Sequence, residues 1–473
     1  MNSTPGDALG DGNVASTPGD DLPVTTRRQQ RAAAGARNRV SRRAFLGTGL
    51  AATAVPLLAP VSPAHATPAG RSPGSISGSN GADVDSLQRV SGHALYSLPQ
   101  DHKWHTGGIF DSGQLQEWHY WTGFFTDDAT GEQFGIFYNI TNNPSAPGGP
   151  STWQQGVLFS FGDFAKQELI WARHVTDVGS LQAKRPPDST SPDDFQYHAK
   201  GGNGEFTTVY RAEPDTWHFQ FRGVAANNGN SPIVMDMVNT TQTPYGYMPV
   251  AVGGFENENI PWNGQNLDPT TMYSLSRYYT GPISNSKGTV TIGGKSRHLT
   301  GTTWFEHQWG NFNSGPQPWT TAYTWGALTF DNGNVFTWRQ WYGAPNGSAP
   351  LQPILEIGRN SFGTPNGTPG GSLTFHMGNS AEWKALKTWR SPVSGRNIAT
   401  QVQLTSSFGT WYLTNVFDNY EMPWGYPPYG NNPYSFVESA MWIRTGSVDG
   451  PIVGHAFMEQ ANQFTLYQAA VSG

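Results

Sequence analysis

The chain has 473 residues, 28 basic against 34 acidic side chains, a formal charge of −6, and 57 Gly, 35 Pro, 25 Phe, 18 Tyr and 18 Trp. It has no Cys, which excludes disulfides, thiolate nucleophiles, iron–sulfur clusters and Cys-ligated zinc, so any metal would sit on His and carboxylates. The negative balance gives no electrostatic case for nucleic acid, a mean hydropathy of −0.50 argues against a membrane protein, and the Gly and Pro content predicts many tight turns.

Residues 1–66 read as a targeting segment. Met1 to Val40 is polar and lacks apolar periodicity. Ser41-Arg42-Arg43-Ala44-Phe45-Leu46 is a twin-arginine pattern, followed by an apolar run from Gly47 to Val61 and the small-residue site Ala64-His65-Ala66. The run is too short to span a bilayer. Export to the cell envelope or the exterior is expected. The leader's seven Arg outweigh four Asp, so the chain from Thr67 onward carries about −9. Residues 67–86 are a Gly/Ser/Pro-rich linker.

From Leu87 short alternating segments recur between turn clusters, among them 133–140, 156–161, 216–222 and 288–292. Ala327 to Phe330, then Asp331-Asn332-Gly333, then Val335 to Trp338 is a hairpin signal. Aromatic and β-branched residues alternating with polar ones predict an all-β protein of antiparallel sheets closed as barrels or packed as sandwiches. The best helix candidate is Ala381 to Trp389. The turn-rich look of Ser284 to Arg297 places a boundary near residue 300, dividing the chain into an N-terminal β domain, 87–300, and a C-terminal one, 301–473.

Glu306-His307-Gln308-Trp309 concentrates a carboxylate, an imidazole, an amide and an indole. On a strand Glu306 and Gln308 face one side and His307 and Trp309 the other, so only one pair can point into a barrel. A carboxyl facing aromatic rings would have its pKa raised and could act as a general acid, although on these residues alone a satisfied structural Glu beside a packing Trp is the commoner case. A second cluster runs Asp101-His102-Lys103-Trp104-His105 and Glu117-Trp118-His119-Tyr120-Trp121. His102 and His105 with Glu117 lack the spacing of a recognised metal motif, and neither a metal nor another cofactor is expected. Phe255 to Asn259 reads as a solvated acidic-amide loop without calcium-loop spacing. Arg339, between Trp338 and Trp341, suggests a guanidinium stacked on indoles or an anion anchor.

These motifs carry a family resemblance. Leu98-Pro99-Gln100-Asp101-His102 to His105, then Glu117 to Gly123, resembles the opening motif of the AttH-like and carotenoid 1,2-hydratase group, which includes kievitone hydratase and fungal cyclases of the Diels–Alder type. Gly301-Thr302-Thr303-Trp304-Phe305-Glu306-His307-Gln308-Trp309 is similar to its Gly-x-Ala-Trp-x-Asp-His-Glu-Trp signature, and Trp389-Arg390-Ser391-Pro392 and Gly454 to Glu459 fall where further motifs are expected. The resemblance implies two side-by-side lipocalin-like antiparallel β-barrel domains.

It also implies a hydratase adding water to an alkene of a prenylated or isoprenoid small molecule, with Glu306, His307 and Glu117 as catalytic candidates. Trp118, Tyr120, Trp309, Arg339, Trp341 and Glu438 are the candidates for substrate binding. The signature's Asp is Glu306 here, its Glu is Gln308, and the first motif's second Trp is His119, so a two-carboxylate mechanism needs a replacement base from His307, Glu117 or Glu438. A cyclase, a non-catalytic binder of hydrophobic ligands and a carbohydrate binder are the competing classes. A hydrophobic small molecule is the expected partner, and oligomeric state is open.

Overall fold

The computed structural model describes residues 98–105, 116–142, 156–175, 184–201, 204–242, 247–249, 255–257, 275–310, 322–342, 357–361, 373–376, 381–406, 409–424, 427–429 and 435–461. The expected twin-arginine leader and linker lie outside them, as do Glu258 and Asn259.

Twelve strands build the first sheet: β1 (Gln116–Asp127), β2 (Gln133–Asn142), β3 (Gly156–Asp163), β4 (Glu168–Val175), β5 (Phe195–Gly201), β6 (Gly204–Arg211), β7 (Thr216–Val224), β8 (Pro232–Thr241), β9 (Met248–Pro249), β10 (Phe255–Asn257), β11 (Leu275–Ile292) and β12 (Lys295–Gly310). Their order is β4-β3-β2-β1-β12-β11-β8-β7-β6-β5, antiparallel throughout, with β9 and β10 both on β11, and the sheet curls into a nearly closed barrel. Alternate residues of these strands, including Trp121, Phe159, Trp217, Phe219 and Phe305, fill its interior. A cavity among Trp121, Tyr138, Phe219 and Met235 measures about 20 Å³, room for roughly one water.

The second sheet has ten strands: β13 (Ala322–Phe330), β14 (Asn334–Tyr342), β15 (Ile357–Ser361), β16 (Leu373–His376), β17 (Ala381–Arg390), β18 (Asn397–Ser406), β19 (Gly409–Asn415), β20 (Glu421–Met422), β21 (Phe436–Thr445) and β22 (Ile452–Ala461). The order is β16-β15-β14-β13-β22-β21-β19-β18-β17, with β20 on β21. Its inner face buries Leu328, Phe336, Trp338, Met441, Ile443 and Met458. A third apolar layer, with Tyr120, Phe137, Trp304, Trp325, Phe436 and Phe457, lies where the sheets face each other. Tyr120 meets Trp325 edge-on at 5.4 Å and Phe137 stacks on Phe436 at 5.7 Å.

Two expectations are corrected. Ser284 to Arg297 is not a turn-rich boundary but the hairpin of β11 and β12, turned at Gly293 and Gly294, whose φ of 57° and 84° lie in the left-handed region that favours glycine. The passage between sheets falls after Gly310, because the Trp304 to Trp309 segment completes the first sheet between β1 and β11. Ala381 to Trp389 is strand β17, not a helix. Bulges at Ala385 to Thr388 break its two-residue alternation, leaving Leu386 and Lys387 both exposed, and this interruption mimics helical spacing.

Candidate active site

Three adjacent strands present the motifs, and their register decides what meets what. In β1 and β12, Glu117 pairs with Trp309, Trp118 with Gln308, His119 with His307 and Tyr120 with Glu306. In β11, Tyr279 stands opposite His307 and Thr280 opposite Glu306. Strand alternation then sends Glu117, His119, Tyr279, His307 and Trp309 into the first barrel, and Tyr120, Tyr278, Trp304 and Glu306 toward the second sheet. The expected catalytic set is therefore divided: Glu306 lies on one face of the sheet, His307 and Glu117 on the other. Trp309 also belongs to the barrel interior, while Trp118 and Tyr120 pack on the side of Glu306. Arg339 and Trp341 are in β14, but their side chains lie outside the described residues.

On the inter-sheet face Glu306 is 4% exposed. Its Oε1 accepts the Trp304 indole N–H at 2.8 Å and its Oε2 accepts the Tyr278 hydroxyl. Burial pushes its carboxyl up to about 8, against the opposing pull of these two donors, which favour the anion. The second sheet contributes two more buried carboxyls, Glu438 and Glu459, paired directly across β21 and β22. Burial raises Glu438 well above the usual range, Tyr120 opposes this, and the charge of Glu306 adds to it. Glu459 is raised by burial and then by Glu306. Glu438 and Glu459 both feel the charge of Glu306, and burial shifts all three carboxyls toward the protonated form. Sequence reasoning named Glu306, Tyr120 and Glu438 but missed Tyr278, Trp304, Trp325 and Glu459. The signal for Glu459 was its place in the last motif, two residues from Phe457 and so on the same strand face.

Inside the barrel a second polar network forms. The strap 98–105, with a 3-10 turn at Gln100–His102, closes over the barrel and buries His102 and Trp104. The His102 ring packs among Tyr210, Tyr247 and Trp217, with centroids 4.7, 4.7 and 5.4 Å away. Glu117 Oε1 lies 2.7 Å from His105 Nδ1 and 2.6 Å from His307 Nε2, and its Oε2 accepts the His105 main-chain N–H at 2.8 Å. His307 Nδ1 reaches the Tyr279 hydroxyl at 2.9 Å, and His102 Nδ1 reaches the same oxygen at 2.6 Å.

His105 stacks on Trp309 at 4.3 Å with 5° between planes, and its Nε2 lies 3.4 Å from Asp101 Oδ1. Burial works against a charge on His105, but Glu117 and Asp101 outweigh it and lift it to about 9. Burial lowers His307 and His119 well below the usual imidazole range, with neighbouring His rings adding to it. The donor atoms of His105, Glu117 and His307 all lie within 4.8 Å of one another. The set that converges thus differs from the His102, His105 and Glu117 group read from sequence, since His102 is turned to Tyr279 and His307 takes its place.

No family model and no curated protein matches the sequence. Among solved structures, the AttH-like protein NE1406 from Nitrosomonas europaea is similar at a TM-score of 0.56 and 15% identity, over 79% of this chain and 98% of that one. Kievitone hydratase from Nectria haematococca aligns at 0.45 and 15% identity over 77% and 92%, and CghA at 0.46 and 9% over 74% and 89%. The chain shares the two-sheet, lipocalin-like β fold of the AttH-like protein.

Proposed function

We propose that this protein is an exported hydratase that adds water to an electron-rich alkene of a prenylated or isoprenoid small molecule, with Glu306 as the acid. The observation that carries the reading is Glu306 itself: a carboxyl buried between two sheets, pushed up to about 8 and bordered by aromatic rings. Such a group holds its proton at neutral pH in a place poor in water. It would donate that proton to the less substituted alkene carbon, leaving a tertiary cation. The faces of Tyr120, Trp304 and Trp325 and the newly formed Glu306 carboxylate would stabilise the cation. Water would then form the C–O bond and give up a proton to the Glu306 carboxylate, which regenerates the acid.

The proton acceptor on this face is the Glu306 carboxylate left by the first step, since burial also raises Glu438 and Glu459; the His307 and Glu117 of the sequence reading lie across the sheet. A cyclase would trap the same cation with an internal alkene and then shed a proton to the same Glu306 carboxylate, so the two reactions differ only in what captures the cation.

The test is incubation with prenylated phenolics and linear isoprenoids in water enriched in heavy oxygen, beside the Glu306→Gln variant. A product that gains one labelled water only with the parent protein supports the reading. An isomer of unchanged mass would mean a cyclase, and ligand retention without conversion by both proteins would mean a binder.

A further inference from the structure

The barrel network contains more polar chemistry than the inter-sheet reaction uses. Its proton arrangement can be followed contact by contact. The Tyr279 hydroxyl donates to the Asp101 carbonyl at 3.1 Å, so the phenol oxygen is left to accept ring N–H groups from His102 and His307 through their Nδ1 atoms. This tautomer turns the His307 Nε2 lone pair toward Glu117. On the other side, Asp101 Oδ1 accepts from His105 Nε2, and His105 Nδ1 shares a proton with the same Glu117 oxygen. Two ring nitrogens and a carboxylate oxygen thus converge, and a bound metal ion would take the place of the shared proton.

From this convergence we infer that His105 Nδ1, Glu117 Oε1 and His307 Nε2 form a site for a divalent transition metal of the zinc class. Three independent features fit. The ligand set of two imidazoles and one carboxylate suits zinc. Every ligand has its second atom held: His105 by Asp101, His307 by Tyr279 and Glu117 by the His105 main-chain N–H. Such outer partners orient metal ligands in general. The spacing is also close to what is needed. Donors at about 2.1 Å from a tetrahedral ion stand roughly 3.4 Å apart, so the 2.6 and 2.7 Å contacts would open by about 0.8 and 0.7 Å.

His105 is the route in, because its side chain is 22% exposed while Glu117 and His307 are fully buried. The ligands come from the strap, β1 and β12, so the ion would fasten the strap to the barrel wall. This site is independent of the Glu306 reaction, being on the other face of β12.

The experiment uses the full-length chain, stripped with a chelator and then given Zn²⁺ alone. Bound metal is counted by mass spectrometry, affinity is measured by calorimetry, and the site is located by anomalous diffraction at the zinc edge. The expected result is one equivalent between His105, Glu117 and His307, at least about 100-fold weaker binding in His105→Ala, and about 10- to 100-fold weaker binding in Asp101→Asn. His198→Ala, at a surface His paired with Glu205, should bind as the parent does. Less than about a tenth of an equivalent in the parent protein overturns the inference, and so does full occupancy retained by His105→Ala. Because the parent measurement needs no variant, misfolding of Glu117→Gln or His307→Ala would not rescue the idea.

Discussion

Glu306 and His307 are neighbours in the chain, yet their side chains stand on opposite faces of β12: Glu306 meets Tyr278 and Trp304, His307 meets Glu117 and Tyr279. One four-residue motif thus serves two chemically separate places. The inter-sheet face has acids in an aromatic wall. The barrel face has imidazoles around a carboxylate.

Replacing Glu306 by Gln keeps shape and burial but removes the proton. Turnover of a hydration substrate should fall by about 10²- to 10⁴-fold with the fold intact, as seen by far-UV circular dichroism. In the parent protein the acid is competent below about 8, so kcat/KM should decline as pH rises through that value.

The same shift has a consequence for stability. The folded pKa of Glu306 is raised above its ordinary 4.5, so its contribution is complete below pH 4.5 and is lost as pH climbs to about 8. Melting temperatures of the parent and of Glu306→Gln, recorded from pH 4 to 9, should diverge across that window. The variant should become relatively more stable at the alkaline end, and a constant difference across the range would contradict the buried-acid assignment.

Tyr278→Phe removes a donor that favours the Glu306 anion. The Glu306 pKa should then rise further, by about one unit given the usual strength of a hydrogen bond to a charged acceptor. The measurable effect is an alkaline limb of the pH–rate profile displaced upward. A downward displacement would show that Tyr278 is not acting on the carboxylate.

His119 is fully buried, and neither ring nitrogen has a hydrogen-bond partner. Its ring sits 4.2 Å from Trp104 and 4.1 Å from His307, in aromatic surroundings. His119→Phe should therefore stabilise the protein by about 1 kcal/mol, since a buried unpaired polar group costs about 1–3 kcal/mol. Chemical denaturation checks the sign.

Gly301 lies in β12 opposite Phe125 of its neighbour β1. A Cβ there would be 2.0 Å from the Phe124 carbonyl oxygen, a backbone atom that cannot step aside. Gly301→Ala should cost about 2 kcal/mol or more, visible as a lower denaturation midpoint with little change in its slope.

By itself the sequence determined the class of the fold and the chemistry-bearing residues. Alternation of period two is a local property, and the Asp331-Asn332-Gly333 turn between two such runs is legible because its cause lies within a few residues. Glu306 was legible for the same reason, as an acidic residue inside an aromatic strand. The alternation also showed that Glu306 and His307 must part. Which of them faced the barrel was undecided, because that depends on pairing with β1 and β11, and those partners lie far away in the chain.

Tertiary structure alone decided the company each residue keeps. Glu459 joins Glu306 only because β22 packs its outer face against the first sheet, and His307 joins Glu117 across a strand pair whose members are 190 residues apart. The failed helix at Ala381 to Trp389 has the same origin: bulges forced by pairing with β18 erased the local period. Strand faces are written in the chain, but the raised pKa of Glu306 and the convergence on Glu117 are products of burial, which exists only once the sheets have met.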